Sequence, residues 1–344
     1  MGLPSGTYRP STSILIDLIN AKGFKTQLEP YGHFYIAFDH EDDSYNRYIE
    51  YGGSVSKAIL IRQETDAVYP GQYGKRIENK YGLILTLGGT EKVRQHKFLG
   101  HPYMHNHNPA NPTQIDSNFA AIFSRRKSNQ VYELSSWKNR QIFLSFVGAN
   151  KVGLNPKGNY GVRRRLVKEL LPMGLEVYGI LWNASLKKRL TNRVSMVLWG
   201  LRTRQRPPIF AIFFDIFRKY KAVKGVVDNK QKILLASKFS LVVENSDQII
   251  TEKLFDSILA GSIPVFYGAA LSQFGLPNGL AVEIKNYKYP IGQVIISMTE
   301  SEVALRLKIM KEFLGSEEFR DTWLAESVYR KVMIVIKDFL ETNS

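Results

Sequence analysis

Short, continuous runs of β-branched and aromatic residues recur along this chain, and between them apolar positions return every third or fourth residue. "GHFYIAF", "KAILIRQE" and "KYGLILTLGG" are early runs of the first kind, and "RQIFLSFVGAN", "LEVYGIL", "FSLVVEN", "IPVFYG" and "LAVEI" continue the series as strands. Helical spacing marks "TSILIDLINAKGF", which Gly23 stops, and "NYGVRRRLVKELLPMG", with Leu166, Val167, Leu170 and Leu171 on one face. It also marks "ITEKLFDSILAG", with Thr251 placed as N-cap and Gly261 as the stop. From Glu300 onward the pattern is mainly helical, and no internal repeat or long low-complexity segment interrupts it.

Strands alternating with helices at this spacing predict α/β layers built on mainly parallel sheets. The series divides near Ser136 to Gln141. That predicts two Rossmann-like domains, 1–136 and 137–325, and a final helix within 326–344 that packs back on the first. In such sheets ligands bind beyond the carboxyl ends of the strands. The rule selects three places: Glu64 after "AILIRQ", Asn150 after "IFLSFVGA", and Glu244–Asn245 after "FSLVV".

The last of these opens the stretch "VVENSDQIITEKLFDSILAGSIPVFYGA", Val242 to Ala269. A buried strand there ends by presenting a carboxylate and an amide, and "TEK" then begins a helix. A helix N-terminus carries partial positive charge and unpaired N–H groups, which suit an anion. Glu252 fits that dipole, whereas Lys253 opposes it, and a bound phosphate would give the lysine a purpose. On physics alone a solvated, capped helix start accounts for these residues equally well.

The order and spacing of "KFSLVVENS…ITEKLFDSILAGSIPVFYGA" resemble the nucleotide-sugar signature of the α-1,3/4-fucosyltransferase family. "FVGAN", "GVRRRLVKELL" with Arg163, "LEVYG" and "FGLPNGLAVEIKNY" resemble further segments of that family, so the good match spans about Gln141 to Tyr287. Upstream, "RQETDAVYP" places Glu64 on the family's glutamate, and "KYGLILT" and "HPYMH" sit where the family has a strand and a Pro-Tyr loop. Two departures stand out. Ile249 occupies a position where the family often has Tyr, and Thr65-Asp66 replaces its Ser-Pro.

The resemblance implies a GT-B fold, two Rossmann-like domains facing each other across a cleft. It also implies transfer of L-fucose from GDP-β-L-fucose to a glycan hydroxyl with inversion, as an α-1,3 linkage. Direct displacement needs a base for the acceptor proton, positive charge for the leaving diphosphate, and alignment of the reactants. Carried over, Glu64 is the base, Arg163 and Lys253 neutralise the phosphates, and Glu252 holds the ribose. Asn150, Glu244 and Asn245 complete the donor site. Arg164 and Arg165 adjoin Arg163, and the sequence leaves open which of the three faces the phosphate. A cation pair on the leaving group makes a metal chemically unnecessary, although a divalent ion could stimulate. Two alternatives stay open: a different GDP-sugar, and a catalytically inactive glycan- or partner-binding protein on the same fold.

Composition adds a second theme. The 344 residues hold 47 Lys and Arg against 31 Asp and Glu, a formal charge of +16, which calls for an anionic partner. Most of that excess is local. Between Leu186 and Lys224 eleven basic residues face the single acid Asp215. The same segment carries "PPIFAIFFDIFRKYK", with Ile209, Ile212, Phe213, Ile216 and Phe217 at helical spacing. That run is too short to span a bilayer. It reads either as a helix packed on the donor domain with its basic edge in water, or as one lying on an anionic membrane surface. The expected location is cytoplasmic; the second reading would make it peripheral on the inner face of a membrane, with lipid-linked glycan a natural acceptor. No known nucleic-acid module appears, so nucleic acid is not an expected partner.

With no Cys, disulfides and thiolate chemistry are excluded. Four histidines, His96, His101, His105 and His107, lack the helical spacing and carboxylate partner of a metal site, and read as an acceptor-lining or exposed loop. The N-terminal stretch reads as neither a signal peptide nor an anchor helix, and its "MGLPSG" fits a myristoylation pattern only superficially. The sequon Asn183-Ala184-Ser185 matters only in a secreted chain.

Overall fold

The structure is a computed structural model. It describes residues 10–21, 32–87, 96–98, 105–106, 115–116, 119–155, 158–202, 207–213, 216–217, 220, 223–285, 287 and 290–343. Gly23, His101 and His107 lie outside the described residues. One parallel sheet holds β1 (Tyr35–Phe38), β2 (Ala58–Arg62), β3 (Leu83–Leu87) and β4 (His96–Phe98), in that order. β5 (His105–Asn106) and β6 (Ile115–Asp116) form a small antiparallel pair. The second parallel sheet holds β7 (Ile142–Val147), β8 (Leu175–Tyr178), β9 (Val223–Gly225), β10 (Ser237–Val243), β11 (Ile263–Tyr267) and β12 (Val282–Glu283).

The helices of the first half are α1 (Pro10–Ala21), α2 (Asp42–Glu50), α3 (Lys75–Glu78), α4 (Phe119–Ser128) and α5 (Leu134–Lys138). Then come α6 (Tyr160–Leu170), α7 (Leu186–Arg202), α8 (Ile209–Phe213), α9 (Lys230–Ala236) and α10 (Glu252–Leu259). The chain closes with α11 (Ile291–Ile296), α12 (Glu300–Gly315), α13 (Glu317–Trp323) and α14 (Ala325–Thr342).

Every residue of β1, β2 and β3 is buried, which is why these strands read as unbroken apolar runs. Their core is completed from the far end of the chain. Tyr329, Val332, Ile336 and Leu340 of α14 pack with Ile36, Phe38, Ile59 and Leu85. A second, larger core surrounds the other sheet and includes Phe119, Ile122 and Tyr132, residues upstream of the expected division at 136. α10 ends as its sequence predicts. Ala260 is the C-cap, and Gly261 takes φ +66°. The N–H groups of Gly261 and Ser262 return to the carbonyls of Ile258 and Ser257, a Schellman closure.

The order of the second sheet, β12-β11-β10-β7-β8-β9, contains one reversal. The chain moves outward from β7 through β8 to β9, then returns to place β10 on the other side of β7. The carboxyl ends of β7 and β10 therefore flank the topological switch point, where a crevice opens. Gly179 shapes one side of it. At φ +133° it lies so close to the turn after β7 that a Cβ would sit 2.3 Å from the Gly148 oxygen.

A buried histidine marks the first unit. His40 Nε2 lies 2.9 Å from Asp42 Oδ1, and Nδ1 lies 2.8 Å from the Tyr81 hydroxyl. Burial lowers the His40 pKa below its ordinary 6.5, more strongly than Asp42 raises it. The native state thus binds this proton less readily than the unfolded chain. Its contribution to stability is complete above pH 6.5 and is lost as pH falls through the lowered value. Urea unfolding at about pH 7.5 and about pH 5.5 should show wild type losing more stability on acidification than His40→Gln. Equal losses in the two proteins would place the sensitivity elsewhere.

Candidate functional site

A cavity of about 470 Å³ opens at the switch point, within the range of small-ligand sites. The first unit contributes Glu64 and Val68. The second contributes the turn after β7, the start of α6, Asn245 after β10, Lys230 of α9 and the first turns of α10.

Glu64 lies two residues beyond β2, on a loop whose backbone is tightly held. Asp39 Oδ1 accepts from the N–H groups of Gln63 (2.8 Å) and Glu64 (3.3 Å) and from Gln72 Nε2 (3.0 Å). The Glu64 carbonyl accepts from Gln72 Nε2 (3.0 Å) and the Tyr73 hydroxyl (2.8 Å). Asp39 itself stands at φ +57°, a conformation that costs energy in a non-glycine residue and that its three acceptor contacts help to hold. Gln63 Nε2 also donates to the Tyr329 hydroxyl of α14 at 3.3 Å. Thr65 and Asp66, the departures from Ser-Pro, form a turn. The Thr65 carbonyl accepts from Val68 and Tyr69, and Asp66 accepts from Asn155 across the two units.

Arg163 projects from the end of the first turn of α6 and is 4% exposed. It donates to Asn245 Oδ1 at 2.7 Å and to the carbonyls of Ala149 and Val243 at 3.3 Å. Its plane lies 5.2 Å from the Tyr160 ring centre. Among the described residues it makes no ion pair, and its buried Nε has no hydrogen-bond partner. Burial lowers its pKa, with Tyr160 and Glu244 opposing. Tyr160 in turn is pushed up to about 12, mainly by burial. Arg164 instead donates to the Lys151 carbonyl at 2.9 Å, and Arg165 is exposed. Arg163 is therefore the member of the basic run that faces the cavity.

Lys253 does have a local purpose, contrary to the sequence expectation. The Glu244 carboxylate, wholly buried, accepts from Lys253 Nζ at 3.1 Å, Thr251 N–H at 2.9 Å and Thr251 Oγ1 at 2.8 Å. Thr251 is the N-cap by position, but its hydroxyl is committed to Glu244 and makes no side-chain cap bond. Glu244 is thus the anchor that fixes the start of α10, not part of the cavity wall. Asn150, 5% exposed, also stands behind the wall, its N–H bonded to the Ile180 carbonyl and its buried Oδ1 without a protein partner. Asn245, Glu252 and Lys253 do line the cavity, while Ile249 is buried away from it.

Sequence reasoning missed a second charged pair. Lys230, the first residue of α9 after its N-cap Asn229, places Nζ 2.5 Å from Asp256 Oδ2. Burial alone would lower its pKa, but Asp256 and then Glu252 outweigh it and the net shift is upward. The available signal was Asp256 four residues after Glu252, on the same face of α10. Among the described residues no group of three His, Asp or Glu is placed to hold a metal.

Two Rossmann-like units with a cavity lined from both make up a GT-B fold. The chain resembles the crystal structure of an alpha1,3-fucosyltransferase (TM-score 0.53, 13% identity, 99% of this chain and 89% of that one). An alpha1,3-fucosyltransferase structure with GDP gives the same values. It is similar as well to Anabaena HepE in complex with UDP-glucose (TM-score 0.53, 8% identity, 98% of each chain). No protein-family model and no curated protein matches the chain.

Proposed function

We propose that this protein is an inverting glycosyltransferase that moves L-fucose from GDP-β-L-fucose to a glycan hydroxyl, as an α-1,3 linkage. The observation that carries the reading is the pairing in one cavity of Glu64 from the first unit with Arg163, Lys253 and Glu252 from the second. Glu64 takes the acceptor proton as that oxygen attacks the anomeric carbon, and the bond to the β-phosphate breaks. Arg163, the α10 N-terminus and Lys253 receive the charge that develops on the diphosphate. Glu252 accepts from the ribose hydroxyls, and Asn245, already held by Arg163, borders the sugar. Asn150 and Glu244 support the donor site from behind.

The test is thermal unfolding with GDP, GDP-fucose, GDP-mannose and UDP-glucose, since a ligand of the native state raises the melting temperature. GDP and GDP-fucose should stabilise, and UDP-glucose should not. Stabilisation by UDP-glucose alone, or a larger shift with GDP-mannose, would overturn the donor assignment. Lys253→Ala refines it. Loss of the ammonium should weaken GDP about tenfold or more and guanosine little, by calorimetry. Equal losses for both ligands would remove Lys253 from the phosphate.

A further inference from the structure

α7 packs Met196 and Val197 on Val152, Leu154 and Ile212, yet it carries a second apolar side that faces out. Arg189, Arg193 and Gly200 face inward and are buried. Arg193 donates to the Ile212 carbonyl, and Gly200 admits Pro207 and Leu154 so closely that a Cβ would meet both. The outward side carries Leu186, Leu190, Val194, Leu198 and Leu201, each between 42% and 61% exposed. Four of these recur at intervals of four, and the last follows at three. They make one continuous aliphatic stripe along the helix rather than scattered surface residues. A stripe of this kind marks an interaction surface. Ile209 and Phe217, in the same segment, are also exposed.

Charge selects the occupant. Lys187, Lys188 and Arg202 of α7 are exposed, and the helix contains no acid. The segment 186–224 carries eleven basic residues and one acid. A second copy of the chain would bring the same excess against itself, and like charges oppose that pairing. α7 is not a span, because among the described residues no helix is long and apolar enough to cross a membrane. We infer that α7 docks on an anionic lipid surface, with its leucine stripe in the interface and its basic side chains at the headgroups. The inference stands independently of which sugar the cavity takes.

Vesicle flotation of the full chain tests it. Wild type should float with vesicles of phosphatidylcholine containing about one third phosphatidylglycerol, and at least about tenfold less with phosphatidylcholine alone. Leu190→Gln with Leu198→Gln should reduce partition to anionic vesicles about tenfold or more. The double variant should keep wild-type stabilisation by GDP, which confirms a folded chain. Lys187→Gln with Lys188→Gln should weaken binding to the anionic vesicles and flatten its salt dependence. Failure of wild type to float, equal floating on neutral vesicles, or unchanged floating of the leucine variant would each overturn the inference. So would light scattering that shows a wild-type dimer made monomeric by the leucine changes, which would assign the stripe to a second copy.

Discussion

Glu64→Gln should abolish sugar transfer while leaving nucleotide binding intact. Removing a general base costs about 10²–10⁴-fold in rate, and the loss should fall on kcat. The substitution keeps the shape of the side chain. The backbone it hangs from is held by Asp39, Gln72 and Tyr73 through contacts that do not involve the carboxylate. A fold effect is therefore small, and a change in melting temperature is not expected. On the proposed reading GDP contacts chiefly the second unit, through Arg163 and the start of α10, so its affinity should be unchanged. Steady-state kinetics together with GDP calorimetry on the same variant decide the matter. A variant that retains kcat would show that another group takes the proton. A variant that loses GDP affinity would move Glu64 from the acceptor side to the donor.

Much of this arrangement was legible in the chain because parallel strands buried on both faces write themselves as continuous apolar runs. β2, β7 and β10 could be placed, and so could the residues that follow them. The switch point needed the strand order, which no local pattern encodes. What the sequence could not resolve were choices among equivalent neighbours. Arg163, Arg164 and Arg165 are interchangeable in composition, and only the start of α6 decides which one faces the cavity. Glu244 and Asn245 are adjacent, yet one is spent on Thr251 and Lys253 and the other lines the cavity. The Lys230–Asp256 pair joins residues from separate helices, so the spacing of Glu252 and Asp256 along α10 marks an acidic face but not the lysine that meets it. α7 was missed as a helix because its apolar positions are split between an inward side, where Met196 and Val197 sit with Arg189 and Arg193, and an outward stripe, so no single apolar face stands out. α4 also had no sequence reason to join the second core. Its partners, such as Phe319, are supplied by helices far along the chain.

Arg163→Met should weaken GDP binding severely and also cost stability. Methionine fills similar space but cannot donate, so the carbonyls of Ala149 and Val243 and the Asn245 amide oxygen each lose a bond to a cation. Such bonds are individually worth more than neutral ones, but the variant also escapes the burden of burying a charge. The net loss should therefore be modest, about 1–3 kcal/mol in urea unfolding. Asn245 is then released from its place at the cavity wall. The effect on GDP should be larger than the effect on the fold, because Arg163 is the buried cation in the cavity with no carboxylate partner among the described residues. Lys253 and Lys230 are already matched by Glu244 and Asp256. Of the lining cations without an ion pair among the described residues, Lys151 is exposed and Arg163 is buried, and at Arg163 a diphosphate supplies the missing anion. Affinity should fall about a hundredfold, about 2.7 kcal/mol, and inorganic diphosphate should lose its stabilising effect as well. A variant that melts lower yet binds GDP as tightly as wild type would make Arg163 a purely structural residue and shift the phosphate contact to Lys253 and the α10 N-terminus.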